Sequence, residues 1–430
     1  MSLREDADRI ICAAITAARP ENAVVRALEK TAFGNGRLVL IAAGKAAWQM
    51  ADAAASYLGD AITSGVVITK YGHSRGPIGG LKIFEAGHPV PDEHSFSATA
   101  AALDAVKGLT EQDDVLFLLS GGGSALFEYP LIEKEELLRI TQDLLACGAD
   151  IVEMNMIRKR LSAVKGGRFA KACAPAHVTA VVLSDILGDP LDMIASGPVC
   201  EDTSGCGQAL AVVRKYGIAV SDEADRLLHT ETEKKLENVT TYITGSVRQL
   251  CTSAEATCRS LGYEPVLLTT ELSCTARDAG VFLASVGKEY SKKGKYAFLA
   301  GGETVVKLTG TGMGGRNQEL ALAAAPVIAG LENVAVFSVG SDGTDGPTDA
   351  AGGYVDGHTI ETLKKQGIDV FHVLRENDSY HALQSCGGLI VTGPTGTNVN
   401  DLSVVLIDGY SVTENNPERK ERSVWGCDKN

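Results

Sequence analysis

Several short segments gather the groups that could handle an anion. In Val39–Trp48 an apolar run meets a small-residue turn, and Lys45 stands where the next helical stretch begins. A cation there, at the carboxyl end of a strand and beside a helix start, suits a phosphate or carboxylate. The spacing is not that of a GxxxxGK(S/T) loop, and a solvent-exposed lysine is the plainer alternative. Ser120, Gly121, Gly122, Gly123 and Ser124 follow another apolar run. Successive glycines allow backbone N–H groups to face an anion, with two hydroxyls beside them, although a flexible turn would read alike.

Glu153–Arg168 is an island of positive charge in an acidic chain. Taken as a helix, it sets Arg158, Ser162 and Lys165 along one face, with Asn155 one turn before Arg158. A solvated basic helix is the bland alternative. Asp185, just beyond the run Val178–Leu183, belongs to the same sheet edge as Lys45. Its carboxylate could accept a hydroxyl proton or hold Mg2+, unless it merely closes an Asx turn. Gly301–Thr304 reads as a hairpin-like strand pair with glycines at its mouth and carries Glu303. Gly310–Glu319 opens a helix, so Arg316 and Asn317 lie near its positive end, where arginine suits bidentate recognition of an anion.

Asp342, Asp345 and Asp349 crowd one loop and repel unless a cation or an arginine balances them. The glutamate that closes an EF-hand is missing, which leaves one Mg2+ on nucleotide phosphates, or Arg316, as the expected balance. Thr392, Thr395, Thr397 and Asn398 follow a strand end and could line a polar pocket. No GxSxG elbow and no HExxH pair is present. Anion nests, a lysine, arginines and aspartates best serve phosphoryl transfer, which depends on positioning and charge stabilisation.

The elements that must position these groups are strands and helices in alternation. Arg37–Ala42, Gly65–Thr69, Asp114–Leu119, Val178–Leu183, Tyr242–Thr244, Pro265–Thr269, Tyr296–Ala300, Val334–Val339 and Gly388–Val391 read as short buried strands. Ala46–Tyr57, Glu135–Cys147, Val247–Ser260, Thr275–Tyr290 and Arg316–Ile328 have the helical period. Strands separated by such helices need crossovers, so an α/β fold with mostly parallel sheets is expected. A chain of 430 residues implies two domains. The polar stretch 229–240 marks their boundary, giving units of 1–237 and 238–410 and a polar tail at 411–430.

A net charge of −14 without a long Lys/Arg cluster argues against nucleic-acid binding. No run of about 20 apolar residues suggests a membrane span. The charged start and ten scattered cysteines without a CxxC pair favour a cytoplasmic protein with reduced thiols.

AAGKAAWQMA, SGGGSALFEYP, NMIRKRLSAVKGGRFA, LSDILGDPLDMIASGP, GGETVVKLTGTGMGGRNQELALA, SDGTDGPTDAAGG and TGPTGTNVNDL together resemble the glycerate 2-kinase family with a C-terminal MOFRL domain. The resemblance implies a larger Rossmann-like αβα domain, a smaller α/β MOFRL domain and an active site between them. It further implies ATP-dependent phosphorylation of D-glycerate at its 2-hydroxyl with a divalent metal, usually Mg2+. Lys45, Asp185 and Arg316 match the family's AGK, SD and GGRNQE positions and are the expected catalytic residues. Ser120–Ser124, Asn155, Arg158, Lys165, Glu303 and Asn317 are expected to bind substrate or phosphate, and Asp342 and Asp345 the metal. A homodimer is the expected assembly. The rival readings are an NAD(P)-dependent hydroxypyruvate reductase, which would need a dinucleotide fingerprint, and a non-catalytic nucleotide or sugar-acid binding protein.

Overall fold

The computed structural model describes residues 2–184 and 191–409. Asp185, the turn at Asp189-Pro190 and the tail 411–430 lie outside the described residues. Two six-stranded sheets organise the chain. The first contains β1 (Leu38–Ala43), β2 (Ile62–Lys70), β3 (Lys82–Ala86), β4 (Asp114–Leu119), β5 (His177–Val182) and β6 (Val239–Ile243). Its order is β3-β2-β1-β4-β5-β6, and every pairing is parallel. The central strands are nearly continuous apolar runs because helices cover both faces. Ile41 and Phe117 enter a core with Phe127 and Phe169, while Leu40 and Leu116 enter the opposite one with Met50.

From β1 the chain winds outward to β2 and β3, whereas β4 starts the other half toward β5 and β6. The strand order therefore switches between β1 and β4. Such a switch opens a crevice at the carboxyl ends of those two strands, where Lys45 and Ser120 lie.

The second sheet departs from the expectation of mostly parallel strands. It contains β7 (Glu264–Leu272), β8 (Lys295–Gly302), β9 (Val334–Gly340), β10 (Gly352–Asp356), β11 (Leu389–Ile390) and β12 (Asp401–Asp408), in the order β11-β10-β9-β12-β8-β7. Only β7 and β8 pair in parallel; the other four pairings are antiparallel. The cause is that helices also cover both faces of this sheet. Leu3–Ala18 and Val247–Ser260 pack on one face, Ala276–Tyr290 and Arg316–Ile328 on the other. All seven residues of β9 are buried, and a run buried on both faces carries no mark of its neighbours' direction.

The polar stretch at 229–240 does not separate the two sheets. β6 begins within its last two residues and pairs with β5 of the first sheet, and Thr232 donates to Asp202 at 2.5 Å. The Leu3–Ala18 helix packs on the second sheet, so the chain begins on the body that most of its C-terminal half builds. Gly301–Thr304 is no hairpin: Gly301 and Gly302 end β8, and the chain runs on to bridge Val305 with Thr275. Among the described residues no helix is long and apolar enough to cross a membrane.

Candidate active site

At the switch point, three bonds fix the backbone of Lys45. Its N–H donates to the Gly121 carbonyl at 2.8 Å. Its own carbonyl accepts from Thr69 Oγ1 at 3.3 Å and lies 3.0 Å from His73 Nδ1. The side chain is exposed toward the crevice. Ser120 Oγ accepts the N–H of Ala46 at 3.0 Å, so the β1 and β4 turns are tied together. Gly44 permits this contact, because its φ is +127° and an added Cβ would lie 2.2 Å from Ser120 Oγ. Gly44→Ala is accordingly expected to destabilise the protein by about 1–3 kcal/mol and to weaken binding in the crevice. Urea denaturation and substrate titration would check both effects. Gly122, with φ +86°, is flanked by the Lys45 stem and the His88 ring, which would lie 3.2 and 3.0 Å from an added Cβ.

The basic island behaves differently from its reading as one substrate-facing helical face. The helix Ile151–Leu161 stops before Ser162, which is extended, and Lys165 lies in the following loop. Arg158 Nη2 and Lys165 Nζ both donate to the Ser124 carbonyl, at 2.8 and 3.0 Å. They brace the glycine turn from behind instead of lining the crevice. Burial lowers the pKa of Arg158, with Glu128 opposing the shift. Asn155 is buried as well and bonds elsewhere: its Oδ1 accepts from Ser196 Oγ at 2.7 Å. Lys159 and Arg160 point inward too. Lys159 pairs with Asp192 and Asp202, and Arg160 with Asp202 and Glu231.

The opposite wall comes from the second sheet. Asp342 follows β9, and Thr397, Asn398 and Val399 precede β12; all line one cavity of about 250 Å3 together with Lys45, Gln49, His73, Ser120 and Gly121. Ser341 holds this wall, its Oγ accepting from the Val399 N–H at 2.8 Å and its carbonyl from Thr395 Oγ1 at 2.5 Å. Thr392 instead bonds within its own turn, to the Gly393 carbonyl.

Arg316 stands at the same end of the second sheet, where Gly302, Asp401 and Gly340 are register partners. Its Nε and Nη2 donate to the two oxygens of Asp401 at 2.6 and 3.0 Å, and Nη1 pairs with Glu303 at 2.9 Å. Burial works against its charge, but Asp401 and Glu303 outweigh burial and hold its pKa above the ordinary value. Arg316 thus pairs with these carboxylates and not with the aspartates of 342–349.

Those three aspartates diverge. Asp349 accepts from the Tyr380 hydroxyl at 2.8 Å. Asp345 caps the Arg316–Ile328 helix, accepting the N–H groups of Asn317 and Gln318 at 3.1 and 2.9 Å. Asn317 is buried beside it and accepts from Ser338 Oγ at 2.5 Å. Among the described residues no group of three or more His, Cys, Asp or Glu is placed to hold a metal. Of these three aspartates, Asp342 lines the cavity. That suits Mg2+, which keeps several waters and commonly takes one or two carboxylates plus substrate phosphates.

Burial raises the Asp345 pKa to about 6, against the donors from Gln318 and Asn317. A carboxyl raised in the folded state favours folding most below its ordinary value near 4, and that contribution is lost as pH rises through 6. Stability should therefore fall between about pH 4 and 6, and Asp345→Asn should flatten this slope in denaturation series.

His73, His88, Gln49, Glu128 and Asp401 carry no role in the sequence-based reading. His88 sits over Gly122, and burial, then Lys45, Lys70 and His73, lower its pKa. Both histidines lie in loops after β2 and β3, where nothing in their spacing marks them. Asp401 is the last residue but one of the TGPTGTNVNDL segment, and its pairing with Arg316 spans 85 positions of sequence.

Two family models match the chain: the domain of unknown function DUF4147 over residues 6–229 and the MOFRL family over residues 296–401. A D-glycerate 2-kinase from Thermotoga maritima is 51% identical over 94% of this chain and 99% of its own length. A glycerate 2-kinase from Pyrococcus horikoshii is 40% identical over 95% of this chain and 98% of its own. The crystal structure of a Thermotoga maritima glycerate kinase superposes with a TM-score of 0.90 at 51% identity, covering 94% of this chain and 99% of that one.

Proposed function

This chain belongs to the glycerate 2-kinase family with a C-terminal MOFRL domain, and we propose that it phosphorylates the 2-hydroxyl of D-glycerate with ATP, giving 2-phosphoglycerate and ADP. The observation that carries the reading is the shared cavity: Lys45 and the Ser120-Gly121 turn face Asp342, Thr397 and Asn398 across it. At about 250 Å3 the cavity is smaller than the roughly 300–1,000 Å3 of drug-sized ligand sites, which suits a three-carbon acid and one phosphoryl group.

The glycerate 2-oxygen attacks the γ-phosphorus, and the bond from that phosphorus to the β–γ bridging oxygen breaks. The Lys45 ammonium and the N–H groups of the glycine turn stabilise the charge on the transferring group. Of the five N–H donors of Arg316, Asp401 takes one on Nε and one on Nη2, and Glu303 pairs with Nη1 as an ion pair, so Nη1 and Nη2 keep donors for a carboxylate or phosphate. Asp185 is assigned the hydroxyl proton on the strength of its place in the sequence, directly after β5. Mg2+, carried by Asp342 and the nucleotide, would neutralise phosphate charge. The roles of the remaining residues follow from their positions: Arg158 and Lys165 hold the turn, Asn155 holds Ser196, and Glu303, Asn317 and Asp345 hold Arg316 and its helix.

The deciding experiment is an assay with D-glycerate, ATP and Mg2+, the product isomer being identified by phosphorus NMR. Formation of 2-phosphoglycerate and ADP is expected. NAD(P)H consumption with hydroxypyruvate, without ADP release, would replace the kinase by the reductase.

A further inference from the structure

Behind the glycine turn lies a carboxylate that substrate contact does not explain. Glu128 is 1% exposed, and its carboxylate pairs with Lys165, itself 0% exposed, at 3.3 Å. Among the described residues no donor hydrogen-bonds either Glu128 oxygen. The Glu128 N–H donates to Thr99 Oγ1 at 3.1 Å, which anchors the residue to the helix Glu93–Ala105. Taking a carboxylate out of water is costly, and an apolar pair of similar volume is often as stable as a buried ion pair. Stability alone therefore gives no reason for this pair.

What an apolar side chain could not do is donate. Lys165 Nζ reaches the Ser124 and Phe127 carbonyls, both at 3.0 Å, and Arg158 takes a second position on the Ser124 carbonyl. Ser124 closes the turn whose other end, Ser120 and Gly121, lines the cavity. Phe127 is wedged between Phe117 and Phe169, with ring centroids 5.5 and 5.0 Å away, so the far side of the clamp is fixed in the core. We propose that Glu128 is a positioning residue of the phosphoryl-transfer site: it holds the Lys165 ammonium against the Ser124 and Phe127 carbonyls and thereby fixes the Ser120–Ser124 turn. The proposal rests on reading that turn as the phosphate-facing wall.

Two groups face Lys165 and set its charge. Burial brings its pKa down to about 8, Glu128 opposes the fall and Arg158 adds to it. Removing the Glu128 charge must lower it further, so the turn would lose its clamp at lower pH. The test compares wild type, Glu128→Gln and Glu128→Asp as full chains. Backbone hydrogen exchange of residues 120–127 is measured without substrate, and kcat and KM against pH with ATP and glycerate. Glu128→Gln is expected to speed exchange at Gly121–Ser124 by about 10-fold or more and to lower kcat per folded enzyme by about 10–100-fold. Its basic limb of activity should move to lower pH, and Glu128→Asp should recover part of each effect.

Wild-type exchange together with a wild-type pH profile in folded Glu128→Gln would overturn the proposal. So would equal impairment of the Asp and Gln variants with an unmoved basic limb, the signature of a general packing loss. If Glu128→Gln does not fold, the Asp variant carries both measurements, with faster exchange and a shifted limb expected and neither seen if the idea is wrong. Should the wild type release no ADP, the exchange measurement still decides the clamp, and the kinase reading is what fails.

Discussion

Lys45→Ala is expected to lower kcat by about 10²–10³-fold while leaving the unfolding midpoint unchanged. The two halves of this expectation have separate structural causes. Lys45 is exposed, and the bonds that fix its position run through its backbone N–H and carbonyl, which alanine retains. What alanine removes is the ammonium on the cavity wall, opposite Asp342 and beside the glycine turn. A cation placed in advance at the site of developing charge acts mainly in the transition state, so kcat should fall more than glycerate affinity. Steady-state kinetics with a thermal melt on the same samples checks both halves. An unchanged kcat in a normally melting variant would remove Lys45 from the chemistry.

The first sheet was legible because its signals are local. β1 and β4 are unbroken apolar runs, each ends in a small-residue turn, and parallel winding brings those turns together without further information. That is why the sequence already sets Lys45 and the Ser120-Gly121 turn at one sheet edge, where they line one cavity. The second sheet hid its antiparallel strands. The pair of glycines that starts β10 reads as a turn, and β12 follows directly from a loop rich in Gly, Thr and Asn. The basic island misled in another way. Sequence periodicity places Arg158 and Lys165 on one face, but the helix ends at Leu161, and the charges fold inward onto Ser124, Glu128 and Asp202. Their partners lie 30 or more positions away in sequence, beyond the reach of local pattern. The same distance hides Asp401 from Arg316, and Asp345 reads as a metal ligand until the helix end that it caps is seen.

Arg316 carries the other large effect, because its removal acts on folding and chemistry together. Arg316→Ala leaves Asp401, whose side chain is 6% exposed, without the bidentate donors that compensate its burial. Losing one partner of a buried pair costs about 3–5 kcal/mol. Since Arg316 keeps about a third of its side chain in solvent, a loss of about 2–4 kcal/mol in urea denaturation is expected here. Activity should fall by about 10²-fold or more as the remaining Nη1 and Nη2 donors disappear. The double variant Arg316→Ala with Asp401→Asn separates the two contributions. Neutralising the stranded carboxylate should restore much of the stability, whereas turnover should stay low, because no guanidinium faces the anion. Arg316→Lys completes the argument: an ammonium can answer Asp401 but lacks the planar fork that engages Asp401 and Glu303 and still presents donors outward. It should therefore hold stability better than activity. Recovery of turnover in the double variant would mean that Arg316 serves the fold alone.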